Sequence, residues 1–178
     1  GSLANPWTLT EALAANVSGD RVNVKSGAYS MAGFTMGTGT ALVPVLYRGY
    51  NTTIGDLDGQ GRNTDGTLNT TNFPVITLTN IIVPTAFSFM QNIVFTGTFN
   101  GSLFTSATVD DWGLINCSVL HTGNEINAGC VIADDRCYFV NCDLSCTGAA
   151  HTTILNSGVS VRVIGCRFKT TKNDKVAL

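Results

Sequence analysis

A repeat of about 24 residues constrains this chain more than any other feature. Four segments align without gaps: Phe87–Phe95, Asp111–Val119, Arg136–Leu144 and Ser160–Phe168. In that alignment Ile93, Cys117, Cys142 and Cys166 share one column, at intervals of 24, 25 and 24 residues. Asn92, Asn116, Asn141 and Gly165 fill the column before it. A second apolar column lies between the segments. It holds Val75–Leu78, Leu103-Phe104, Val131-Ile132 and Ile154-Leu155, with Val22–Val24 and Pro44–Tyr47 as earlier members. Each period thus carries at least two short strands, separated by turns rich in Gly, Asn, Asp and Thr.

A period of this length without an intervening helix predicts a solenoid of β-coils. One coil cannot bury its inner face alone, but stacked coils can. The same position in successive coils then recurs about 4.8 Å apart, the spacing of neighbouring strands. Like residues form files: the three asparagines can pass amide hydrogen bonds along the stack. Cys117, Cys142 and Cys166 fill one inner line as small apolar side chains.

Composition agrees with this reading. Of 178 residues, 24 are Thr, 16 Asn and 16 Val, whereas Glu occurs only at 11 and 125. That vocabulary favours strands and turns over helices. A hydrophobic fraction of 44% argues against disorder. Ten basic against 12 acidic residues leave no excess of positive charge for a nucleic-acid backbone. The apolar runs fall far short of the ~20 residues that span a bilayer. Six cysteines lie at 117, 130, 137, 142, 146 and 166 without paired zinc-ligand spacing, so free thiols are expected rather than a bridged framework.

The beginning of the chain reads differently. Gly1-Ser2 resembles an expression scar. Thr8 and Glu11 have capping-box spacing, and Leu9, Ala12, Leu13 and Val17 recur at helical intervals until Ser18-Gly19-Asp20. A short amphipathic helix there would cover the open end of a stack. Residues 55–74 exceed what a turn needs and read as a loop protruding from one coil. Lys172–Leu178 carries no terminator, which suggests a cut chain or an end covered by a partner.

Asn5–Leu13, followed by Gly19–Tyr29, resembles the opening of right-handed parallel β-helix proteins. In these a cap helix precedes a first strand of the form GD-x-V-x-V-x-x-G-x-Y. Val161–Phe168 is similar to the family's repeat unit, and Leu46–Tyr50 with Gly55-Asp56 resembles an early coil. The resemblance implies an all-β chain, a right-handed parallel β-helix (solenoid) of about six to seven coils with a short N-terminal capping helix. Residues 1–2 are the scar, 3–20 the capping helix and 21–178 the β-helix domain. The fold hosts polysaccharide lyases, glycoside hydrolases, phage tail spikes and non-catalytic surface proteins, so it does not fix an activity.

The resemblance implies chemistry at carboxylates on the outer face, which hold Ca2+ or act as an acid/base pair. Column alignment sets Asp110 over Asp135, close enough to repel, raise one pKa or recruit a cation. It sets Asp111 over Arg136 as an ion pair. Asp110, Asp135 and Arg136 are therefore the catalytic candidates, with Asp110 and Asp135 as metal candidates. The competing reading has these aspartates accepting turn hydrogen bonds. Arg136, Arg162 and Arg167 are available as a base, but none sits in a matching motif, and Asp143 should oppose Arg167. Asp56, Asp58 and Asp65 read as turn residues, and His121 and His151 as surface or turn histidines. Trp112 and Tyr138, or Tyr47 and Tyr50, could stack on sugar faces if exposed, although Trp112 and Phe139 lean toward core.

The expectation is a non-catalytic structural or glycan-binding domain of a phage-fibre or cell-surface protein. The alternative is a polysaccharide lyase or glycoside hydrolase acting on an acidic polysaccharide. No cofactor is required, with Ca2+ the one candidate. The expected partner is a glycan, not nucleic acid or membrane, with oligomerisation through the uncapped C-terminal end. An extracellular, cell-surface or virion location fits better than the cytoplasm.

Overall fold

A computed structural model describes residues 8–106, 108–123, 131–148, 155–157 and 160–170. The expected helix forms over Leu9–Ala15. Thr8 caps it reciprocally: the Glu11 amide donates to Thr8 Oγ1 at 3.2 Å, and the Thr8 amide donates to Glu11 Oε2 at 2.8 Å. Leu13 enters the core and Leu9 packs against it. At the other end Asn16 Nδ2 donates to Leu13 O (2.8 Å) and to the Tyr47 hydroxyl (2.7 Å), tying the helix to the strands.

The described strands form three sheets, each strand pairing in parallel with the strand three elements later. Sheet A runs Arg21–Lys25, Val45–Tyr50, Ser88–Gln91, Gly113–Ile115, Tyr138–Val140, Arg162–Ile164. Sheet B runs Ala28–Met31, Val75–Leu78, Val94–Gly97, Ser118–His121, Asp143–Cys146, Arg167–Thr170. Sheet C runs Phe34–Thr35, Ile82–Val83, Phe104–Thr105, Val131–Ala133, Leu155–Ser157. The chain visits A, B and C in fixed rotation, so the long crossover that parallel pairing requires is supplied by the other two sheets rather than by helices. Register follows the repeat: Phe89 pairs with Gly113, Gly113 with Tyr138, and Tyr138 with Arg162. Each period therefore holds three strands, where two were legible. Val75–Leu78 belongs to sheet B, and Ile82–Val83 takes the sheet C position assigned to it from sequence.

Side chains alternate, and the inward set forms one core. Tyr47, Met90, Leu114 and Phe139 follow one another up sheet A, and all are 1% exposed or less. Between sheets C and A, Trp112 stacks on Phe104 (5.9 Å between rings) and meets Phe139 edge-on (5.6 Å). Trp112 is 0% exposed, so it is core and has no surface to offer a sugar. Tyr47 is corrected likewise: it is 1% exposed, and its hydroxyl accepts from the Gly37 amide at 2.6 Å. Burial pushes its pKa up. His121, expected at the surface or in a turn, ends a strand and is fully buried, because alternation turns the end of Ser118–His121 inward, and its ring lies edge-on to Phe99 at 5.2 Å. His151 and Cys130 lie outside the described residues, as do 171–178.

The corner between sheets A and B explains the asparagine column. Asn92, Asn116 and Asn141 have φ of 57°, 52° and 52°, and Gly165 has 63°. This left-handed region is open to Gly and tolerated by Asn. The same side chains form the predicted ladder: Asn141 Nδ2 donates to Asn116 Oδ1 (2.8 Å), and Asn116 Nδ2 to Asn92 Oδ1 (2.7 Å). The next residue of each corner turns inward, so Cys117 and Cys142 are 0% exposed and Cys166 is half-buried. Each thiol points at a carbonyl of the preceding pass: Cys117 at Met90 O, Cys142 at Leu114 O and Cys166 at Phe139 O, 3.2–3.4 Å away. The five described cysteines are unbridged.

The long segment after Tyr50 does not protrude. It carries its own small core of Leu57, Leu68 and Phe73, with Val94 of sheet B against it. It closes along the A/B corner as a strap. Asp58 accepts from Asn92 Nδ2 (2.8 Å), ending the amide ladder, and from Gln91 Nε2 (3.1 Å), and it pairs with Arg48. Further along, Arg62 Nη1 donates to Asp143 Oδ1 (2.6 Å) and Arg62 Nη2 to Gly165 O (2.5 Å), while the Leu68 amide donates to Asp143 Oδ2 (2.7 Å). Asp143 does oppose Arg167 in register, but its carboxylate is held by the strap. Asp56 accepts from the amides of Asn51, Thr52 and Thr53, and Asp65 from Thr67, so both are turn residues as expected.

Candidate functional site

Where the chain turns from sheet C into sheet A, Phe87, Asp111, Arg136 and Ser160 share the left-handed conformation, with φ of 53°, 59°, 53° and 66°. These are the first residues of the four aligned segments. The conformation swings their side chains away from the strand that follows and onto the outer edge. Backbone bonds fix the column: the Phe87 amide donates to Asp111 O at 2.8 Å, and the Tyr138 amide to Trp112 O at 3.0 Å.

An open groove of about 470 Å³ follows this edge, lined among others by Thr38, Thr85, Phe87, Thr108, Asp110, Asp111 and Arg136. The corners of four successive passes contribute. Thr85 is committed, its hydroxyl donating to Gly37 O at 2.7 Å, whereas Thr38 and Thr108 are exposed.

Arg136 organises the charges. Its Nε donates to Asp111 Oδ1 (3.1 Å), and its Nη2 lies 2.9 Å from both Asp111 Oδ2 and Asp110 Oδ2. Hydrogen bonds to Asp111, then the charges of Asp111 and Asp110, raise the Arg136 pKa, so the guanidinium is charged throughout the working range. Its side chain is 54% exposed, against 35% for Asp110 and 17% for Asp111. The Asp111–Arg136 pair expected from the columns is present. Of the catalytic candidates, Asp110 and Arg136 come together, with Asp111 as the third member. Asp135 does not line the groove, and its amide donates to Asp134 Oδ1 at 3.0 Å. For Ca2+ at Asp110 and Asp135, no cluster of three or more His, Cys, Asp or Glu able to hold a metal ion occurs among the described residues.

Tyr138 stays half-buried on the outer face of sheet A, close along the chain to the groove. Its ring lies 6.3 Å from that of Phe89, and the Arg162 guanidinium carbon lies 5.8 Å from it. Gly113 sits between Phe89 and Tyr138 in register. A Cβ at Gly113 would lie 2.4 Å from the Tyr138 carbonyl oxygen, so the two rings close over a position that only glycine fits. Sequence reasoning missed Thr38, Thr85, Phe87 and Thr108 as groove residues. Phe87 was visible as the head of its aligned segment, whereas the threonines carry no local mark in a Thr-rich chain. A second depression, of about 270 Å³ and lined by Thr10, Leu13 and Met31–Thr35, has no ionisable side chain among its described lining residues.

No family model matches the chain, and it matches no curated protein and no solved structure. No helix among the described residues is long and apolar enough to cross a membrane.

Proposed function

We propose that the chain is a right-handed parallel β-helix of the kind its first strand resembles. We further propose that it serves as a rigid, non-catalytic, glycan-facing surface in a protein of the phage-fibre or cell-surface type. The fixed rotation through three parallel sheets supports the solenoid reading. The groove carries the functional one: it runs across successive passes and offers threonine hydroxyls, carboxylates and a guanidinium beside an aromatic ring, the groups that hold a polysaccharide. The pairing of both Asp110 and Asp111 with Arg136 supports binding over catalysis, since an acid/base pair needs carboxylates free to exchange a proton with substrate. Incubation with pectin, alginate and bacterial surface polysaccharides, with and without Ca2+, tests this. Retention of a polysaccharide with no new reducing ends or unsaturated products is the expected result. Product formation that Asp110→Ala abolishes would establish the lyase or hydrolase alternative instead.

A further inference from the structure

The charge of the groove says which glycans can enter it. Resting on the glycan-facing reading above, we propose that the groove between sheets C and A takes an uncharged polysaccharide and rejects a uronic-acid polymer. Among the described residues, Arg136 is the only cationic side chain lining it. Its Nε and Nη2 donors are turned onto Asp111 and Asp110, which neutralise its charge although the side chain is 54% exposed. Asp134 and Asp135 immediately precede Arg136 in the chain. Among the lining residues two carboxylates, Asp110 and Asp111, thus stand against one guanidinium, a local excess of one negative charge, with Asp134 and Asp135 outside the lining. A polymer carrying a carboxylate on each residue would bring like charge against Asp110 and Asp111, well inside the ~8 Å over which physiological salt screens it.

An uncharged sugar meets the opposite situation. Its hydroxyls can donate to the Asp110 carboxylate, which is about one-third exposed, in charge-assisted hydrogen bonds that a uronate carboxylate cannot make. Thr38 and Thr108 supply hydroxyls that both donate and accept. Phe87 supplies an apolar surface for a ring face. Four corners at about 4.8 Å per pass give an edge roughly 14 Å long, which suits several linked sugars rather than one.

The test uses the intact chain on matched pairs of immobilised hexose oligosaccharides and their uronic-acid counterparts of the same linkage, with a chelator present. At least one neutral member should bind tenfold or more tightly than its uronate partner, and added salt should narrow that gap by screening the repulsion. Asp110→Asn should narrow it too. Equal or tighter uronate binding would overturn the charge argument and leave the glycan-facing reading standing. Binding to no member of the set would overturn that reading, and this inference with it.

Discussion

If residues 51–74 strap the stack, removing the Asp143 carboxylate should loosen several passes together. In Asp143→Ala two hydrogen bonds vanish, from Arg62 Nη1 at 2.6 Å and from the Leu68 amide at 2.7 Å. Bonds to a charged group contribute about 1.5–3 kcal/mol each. The Arg62 side chain is 25% exposed and Asp143 16%, so solvent screening removes part of this. A total loss of about 3 kcal/mol follows, equivalent to about 6–12 °C in Tm for a chain of this size. Thermal melting by circular dichroism reads the shift, and limited proteolysis reads the strap, which should be cut at Arg62 much faster than in the parent chain. Arg62→Ala should reproduce most of the effect, and the double variant should fall well short of the sum. A Tm within about 2 °C of the parent, with unchanged proteolysis, would mean that the strap merely rests on the stack.

Three other outcomes follow from particular contacts. Asn116→Gly keeps the left-handed corner and loses only the ladder, whereas Asn116→Ala loses both, so alanine should cost about 1 kcal/mol more; the reverse order in chemical denaturation would refute the backbone explanation of the column. Cys142→Asp places a charge at a 0% exposed position and should cost several kcal/mol, and an unchanged Tm would contradict the inward file. A hydrogen bond from Cys142 lowers the Cys166 thiol to about 7, while burial pushes Cys117 up to about 12. Iodoacetamide near pH 8 should therefore alkylate Cys166 well before Cys117. Because the folded Cys166 pKa lies below the unfolded value of ~8.5, its stabilising share is present above that value and is lost as pH falls through about 7. Equal labelling of the two thiols would exclude this arrangement.

The intervals between Ile93, Cys117, Cys142 and Cys166 made the parallel register legible before any coordinates, because stacked passes must present the same position each time. The division of each aligned segment between sheets A and B was harder to see, because the corner at Asn92, Asn116 and Asn141 takes only two residues, and Ile82–Val83 of sheet C, only two residues long, is too short to show alternation. The Asp111–Arg136 pair was legible for the reason the cysteine file was, since both lie at repeat positions. The register keeps the 25-residue column that holds Asp110 and Asp135, but Asp135 does not line the groove, which the column alone could not show. The strap was invisible because Arg62 meets Asp143 across 81 positions and outside the repeat, and nothing local announces such a contact.

The stacking of like residues can be tested most directly through the asparagine side chains. In an isotopically labelled sample, nuclear Overhauser contacts should link the Asn116 side-chain amide protons to those of both Asn92 and Asn141, and all three should exchange slowly with solvent. Asparagine amides that exchange freely and show no contact with one another would contradict the register on which the fold, the groove and the strap all depend.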